Sequence, residues 1–565
     1  MDKFKDLPYS RPDFKVIRQS LKEIAKDARS ASSYTEYRAA YMKMEEGIKE
    51  VYTKSTIASI RNTMDKTDSY YETEDRYLNT ESAKLGSLMQ KAQKAFVESP
   101  FRKDFDHEFG PFLMKDMEIS LSLFKPSIVP LMIKENNLGQ AYSKDAALCK
   151  TDFRGEECNF YGLLKHMEST DREERREAFH AWADLYESVS EKLDKTYDKL
   201  VAIRVKKARR LGFKSYIDYI YPSRGRYDYT AADVENFRRQ VREYITPFCA
   251  KLYHAQAARL GIDKLHWYDE ALVFPEGNAL PIGTKDELVE KARRMYEALS
   301  PETGEFFNFM TEHELFDLET RPGKHLGGYC TFLPEFKAPF IFSNFNGTSA
   351  DVDVLTHEAG HAFEAYIASR TLPIMDQIHS TSEINEIHSM SMEHFAYPWM
   401  ESFFGENVDK YRYAHLCGAL CSIPYLVSVD EFQHRIFENP KMTAAERRGV
   451  WREIEKTYMP WRDYDGNAFL ENGGFWMQKQ HIFLYPFYYV DYALAQICAF
   501  QFLAKDLTDH KTAWQDYLAL CKAGGSKGYF DTLAAAGLDN PFKEGTVERV
   551  METVKKTIAD FEAKL

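Results

Sequence analysis

Pro339-Phe340-Ile341-Phe342-Ser343-Asn344-Phe345-Asn346-Gly347, followed after nine residues by His357-Glu358-Ala359-Gly360-His361, is the stretch from which the rest of the chain can be read. The aromatic-rich run reads as a short strand, and Asn346-Gly347 closes it with a turn signal. A helix is expected next. Thr348 stands as its N-cap with Asp351 three residues on, and Asp351 and Asp353 place negative charge in the first turn, where the helix dipole favours it. Val354, Leu355, Ala362, Phe363, Tyr366 and Ile367 carry the helix on until Pro373 forbids its continuation.

On such a helix the imidazoles of His357 and His361, four residues apart, lie one turn above each other on one face and can grip a single metal ion. Glu358, about 100° further round, can reach a water beside that ion. The five residues therefore offer two ligands and a base for metal-assisted hydrolysis. Paired histidines also occur in ordinary amphipathic helices, but the strand, turn and mid-helix placement favour the metal reading.

A hydrolytic zinc site takes a third protein ligand and leaves one position for water. One known pattern needs Gly three residues after His361 and His six after it, but Glu364 and Ile367 stand there. A second helix can supply a carboxylate instead, and Thr381 to Phe395 is free of Gly and Pro and compatible with a helix. Glu383, Glu386 and Glu393 fall near one face of it, so spacing admits any of the three. His388 and His394 are rivals whose plainer reading is packing or support.

Glu386-Ile387-His388-Ser389-Met390, 29 residues after His357, resembles the third-ligand segment of the thimet oligopeptidase family of zinc metallopeptidases. Upstream, Gly327-Gly328-Tyr329-Cys330-Thr331, Pro339-Phe340-Ile341 and Asn344-Phe345-Asn346-Gly347-Thr348 are similar to the oligoendopeptidase F branch, which includes the Pz peptidases. Weaker echoes occur at Thr170 to Arg175, Arg226 to Thr230 and Lys522 to Ser526. The resemblance is most specific around residues 323–400. It implies one Zn²⁺ per chain held by His357, His361 and Glu386, with Glu358 as base. Glu393, two turns beyond Glu386, is then placed to accept the ring N–H of a ligand histidine. Glu383, one turn before Glu386, reads as solvent-facing or as a further hydrogen-bond partner. Ala359 departs from the bulkier apolar residue common in relatives and touches no ligand.

His481, Tyr485, Tyr488 and Tyr492 follow a four, three, four spacing, which on a continuous helix makes one stripe able to present hydroxyls and an imidazole to a cleft. An aromatic core face is the plainer alternative. The resemblance implies that His481 and Tyr488 stabilise the developing oxyanion, with Tyr485 and Tyr492 beside the substrate; Pro486 and Phe487 replace glycines found in the thimet branch. Gly327, Gly328 and Tyr329 precede a strand whose edge a peptide can extend through main-chain hydrogen bonds. A plain loop bend would also use those glycines.

Helical periodicity rich in Lys, Glu and Ala dominates the 565 residues, and strand-like runs lie mainly within 325–346, so the chain reads as mainly α. Residues 1–200, with helices expected at Glu45 to Ile57 and Thr170 to Leu193, read as an N-terminal helical lobe. Residues 201–565 read as the catalytic region completing a single catalytic unit. The resemblance implies a large two-lobed helical metallopeptidase, a small β-sheet next to the zinc helix, and a substrate channel between lobes.

A net charge of −13 argues against a nucleic-acid surface. The run Arg204-Val205-Lys206-Lys207-Ala208-Arg209-Arg210 reads as a solvated helix face. Nothing in the first residues resembles a signal peptide, no membrane-spanning run occurs, and eight cysteines without a Cys-x-x-Cys look like the reduced thiols of a cytoplasmic protein. The expected activity is hydrolysis of internal bonds in short oligopeptides through a zinc-activated water. Trimming from the C-terminus, as a carboxypeptidase, and a zinc-stabilised peptide-binding scaffold are the alternatives, the latter disfavoured because a scaffold needs ligands but no base.

Overall fold

A computed structural model describes residues 1–565. Helices dominate it, and five short strands complete it: β1 (Thr151–Phe153), β2 (Glu156–Cys158), β3 (Phe316–Glu319), β4 (Tyr329–Leu333) and β5 (Ala338–Phe345). The chain forms two compact units, each assembled from three segments. The first comprises Met1–Ser122, Leu280–Val408 and Gln501–Asp539; the second comprises Leu123–Ala279, Asp409–Phe500 and Asn540–Leu565. Residue 200, where a soft boundary was expected, lies inside the helix Arg172–Leu211.

The first unit opens with three mutually packed helices, Phe14–Ser30, Tyr34–Met64 and Ser69–Val97. Asp13, Ser33 and Asp68 start them by accepting backbone N–H groups of the first turn, which would otherwise lack partners. Phe14, Leu21, Ile24, Tyr37, Tyr41 and Phe96 close the core between them.

Further along the same unit, β5 is the centre of a three-stranded sheet in the order β3-β5-β4. β4 runs antiparallel to it, with Tyr329 opposite Phe342, and β3 runs parallel, with Phe316 opposite Ile341. Seven of the eight β5 residues are buried, as a strand covered on both faces requires. The helix carrying the paired histidines, Ala350–Thr371, follows at once and packs on β4 and β5. Its cap differs from expectation. Ser349 occupies the cap position without a side-chain bond, and Thr348 instead donates from Oγ1 to Asn346 Oδ1 at 2.8 Å. Asp351 is turned back to accept the N–H groups of Asn346 and Gly347, so it ties the strand-to-helix turn.

The second unit is built along the 40-residue helix Arg172–Leu211. Asp171 caps it, Glu173 and Glu174 lie in its first turn and Arg209 and Arg210 in its last, each sign matching the dipole end it meets, and Gly212 ends it at φ 103°. The basic run near its end is not wholly solvated. Arg204 and Lys207 are buried because Glu135 accepts from both, at 2.8 and 2.6 Å. Strands β1 and β2 form a hairpin in this unit, with Thr151 opposite Cys158. Neither that hairpin nor β3 was expected, since three or four largely polar residues carry too little pattern to read as strand. No helix is long and apolar enough to cross a membrane.

Candidate metal centre

The histidine helix and the helix Ser382–Phe395, both in the first unit, pack against each other and place the candidate ligands. Glu386 Oε2 lies 3.4 Å from His357 Nε2 and 3.6 Å from His361 Nε2. One ligand atom from each of the three residues falls within 4.8 Å of the others. Bonds of about 2.0–2.1 Å at tetrahedral angles would put such atoms about 3.3 Å apart, so the donors already have the spacing of a zinc-type site. Two nitrogens and one oxygen are also a donor set that suits such an ion.

Supporting groups fix this triad. His357 Nδ1 hydrogen-bonds Glu393 Oε1 at 2.6 Å, which turns Nε2 toward Glu386. Ser389 donates from Oγ to Glu386 Oε2 at 3.2 Å. The approach of the two helices depends on Gly360. A Cβ there would lie 2.6 Å from Ser389 Cα and 2.7 Å from His388 O, both backbone atoms. Only a glycine lets the carboxylate-bearing helix come this close; the sequence reading passed over Gly360, although a glycine in mid-helix is a signal that could have pointed to it.

Electrostatics favour a cation among these groups. Burial opposes charge on His357, but the hydrogen bonds and charges of Glu386 and Glu393 outweigh it and hold its pKa well above the usual value. Burial lowers His361 to about 4, leaving a neutral ring with a lone pair to give. Burial raises Glu358 to about 7, with Glu386 and Glu393 adding to the rise while His357 and a backbone hydrogen bond from Cys330 oppose it.

A family model described as the peptidase M3 N-terminal domain matches residues 4–124, and one described as peptidase family M3 matches residues 165–552. The chain belongs to peptidase family M3. Over its full length this M3 chain is 44% identical to a solved chain described as an oligoendopeptidase F, with a TM-score of 0.93 and complete coverage of both. It is 43% identical to Pz peptidase A, solved with an inhibitor, again with a TM-score of 0.93 and complete coverage of both. Group B oligopeptidase PepB of Streptococcus agalactiae is 25% identical over 399 residues, covering 67% of this chain and 62% of PepB. The chain thus spans under two thirds of that curated relative's length.

Among the M3 residues singled out from sequence, His357, Glu358, His361, Glu386 and Glu393 come together in the first unit. Glu383 does not face solvent: it is 1% exposed and outside the ligand group, one turn back on the second helix. His388 and His394 are buried and also outside it. Gly327 has φ 93°, a left-handed conformation that favours glycine, with open space where a Cβ would stand, whereas a Cβ on Gly328 would make only ordinary contact, 3.4 Å from Phe342 O, just before edge strand β4. The Tyr329 ring stacks on Phe342, and its hydroxyl is engaged by Thr63 Oγ1 at 2.5 Å.

The tyrosine stripe lies in the second unit and is not one continuous helix. A short helix, Gln480–Leu484, stops before Tyr485, and the next begins at Tyr489. Pro486 has no N–H to continue a helix, and Phe487 takes φ 62°, a left-handed conformation that reverses the chain. The rings still gather. His481 lies 5.8 Å from Tyr488 in a stacked arrangement, and Tyr488 lies 5.0 Å from Tyr492. Tyr489, which the spacing argument passed over, sits 4.7 Å from His481, and Arg224 lies over Tyr488. Tyr485 is 55% exposed.

Proposed function

We propose that this M3 peptidase is a zinc-dependent endopeptidase that cleaves internal bonds of short oligopeptides, with one Zn²⁺ per chain held by His357, His361 and Glu386. The observation that carries the reading is the convergence of those three donors beside the half-buried Glu358, whose carboxyl loss of solvent raises toward neutrality. Zinc bound there would polarise the scissile carbonyl and make a water more acidic. Glu358 takes the proton of the attacking water and delivers it to the leaving amine, work that suits a carboxyl raised toward neutrality by burial. Glu393 keeps His357 in the tautomer that offers Nε2. A peptide main chain aligned on edge strand β4, with open space beside Gly327, would be held extended next to Cys330, whose backbone bonds Glu358. His481 and Tyr488 are assigned to the developing oxyanion, and Tyr485 and Tyr492 to substrate contact, from the family resemblance.

Mass-spectrometric mapping of products from an internally quenched peptide tests the activity. Internal cleavage that stops on chelation and returns with zinc supports it. Stepwise loss of C-terminal residues would make the enzyme a carboxypeptidase instead.

A further inference from the structure

A second convergence of metal-binding side chains lies in the second unit, in the segment 151–174. Glu156 and Cys158 are two residues apart on β2, so their side chains leave the hairpin on the same face. His166 ends the following helix, Phe160–His166, which Asn159 caps by accepting the Gly162 N–H at 2.9 Å. One donor atom from each of Glu156, Cys158 and His166 falls within 4.8 Å of the others.

Two further features give this cluster the build of a ligand site. His166 Nδ1 is held by Glu174 Oε1 at 2.7 Å, and Glu174 is itself fixed by Ser169 Oγ at 2.9 Å and by its place in the first turn of the long helix. A carboxylate on one ring nitrogen leaves the other to bind, the same arrangement that Glu393 gives His357. Gly162 leaves space on the helix side, where a Cβ would come within 3.4 Å of the Cys158 sulfur. Phe153 packs its ring 4.8 Å from that of His166 and supports it.

We propose that Glu156, Cys158 and His166 form a second metal site, for a divalent cation of the zinc class, which clamps the β1–β2 hairpin to the helix that follows. One thiolate, one imidazole and one carboxylate suit zinc and cobalt and disfavour magnesium or calcium, which take oxygen ligands. Water completes the coordination. As the sulfur–metal bond forms, the thiol proton passes to solvent.

Titrating the chelator-treated full-length protein with Co²⁺ tests this apart from catalysis, because the first site has only nitrogen and oxygen donors. A thiolate-to-cobalt charge-transfer band should grow as bound cobalt rises from one to two per chain, and zinc should displace it. Cys158→Ser should abolish the band while one cobalt and peptide hydrolysis remain. Glu174→Gln should keep the band but weaken cobalt binding at this site by about 10–100-fold. Glu156→Ala, at an exposed position where folding is not at stake, should also weaken it. No band in the wild type at saturating cobalt, a band that survives Cys158→Ser, or unchanged affinity in Glu156→Ala would overturn the proposal.

Discussion

Gly360→Ala is the substitution that most directly probes how the two helices hold the candidate metal site. In an open mid-helix position Gly→Ala stabilises by roughly 0.4–1 kcal/mol. Here the added methyl would stand 2.6 Å from Ser389 Cα, about 0.8 Å inside the 3.4 Å where ordinary contact begins. Backbone cannot swing aside as a side chain can, so the helices must part. Ser389 lies one turn from Glu386 on the same helix and hydrogen-bonds its carboxylate, so the displacement reaches a ligand. Metal–ligand distances tolerate only about 0.2 Å. We expect zinc occupancy to fall below one per chain at limiting free zinc, and kcat/KM to fall on the order of 10²-fold. Gly86→Ala is the control, since Gly86 lies within the helix Ser69–Val97 with nothing within 4 Å of its would-be Cβ, and it should raise the melting temperature without touching activity. Zinc content by atomic absorption, thermal unfolding and peptide kinetics read all three quantities. A Gly360→Ala enzyme with full zinc and wild-type kcat/KM would show that the spacing of the two helices at the metal site does not depend on Gly360.

Four further outcomes follow from the same geometry. Glu386→Ala should lose zinc while Glu383→Ala retains it; the opposite pattern, measured by metal analysis, would move the third ligand back one turn. Glu393→Gln should weaken zinc binding by about 10–100-fold, because the ring N–H of His357 loses its charged acceptor, and a competition titration with a chelator reads this. Glu358 must be ionised to take a proton, so kcat/KM should fall as pH drops through its pKa; burial sets that near 7 and a bound cation lowers it, so the acid limb should lie at or below about 7. An acid limb well above 7 would assign it to another group. Tyr488→Phe should lower kcat more than it raises KM if its hydroxyl serves the oxyanion, and steady-state kinetics separate the two.

The candidate metal centre was largely legible because its signals are local. The His-Glu-x-x-His spacing, the aromatic strand ahead of it and an uninterrupted helix bearing Glu386 each depend on residues within one element. The choice among Glu383, Glu386 and Glu393 was not local, since all three share a face, and the resemblance rather than spacing pointed to Glu386. What escaped the sequence depends on distant partners or on single backbone conformations. Arg204 and Lys207 are buried because Glu135, 69 residues before Arg204, meets them. The tyrosine stripe assumed a continuous helix, although Pro486 stood in the middle of it. Asp351 served the preceding turn rather than a capping box, two uses of one carboxylate that its position alone does not separate. Gly360 was visible as a mid-helix glycine, but the close contact it permits belongs to the packing of a second helix.

In the proposed function three residues hold the metal and Glu358 moves the proton. Glu358→Gln, which keeps size and removes the base, separates these roles in one preparation assayed for bound zinc and for peptide hydrolysis. Zinc should stay near one per chain while hydrolysis falls by several orders of magnitude. Full zinc with substantial residual hydrolysis would contradict that role for Glu358.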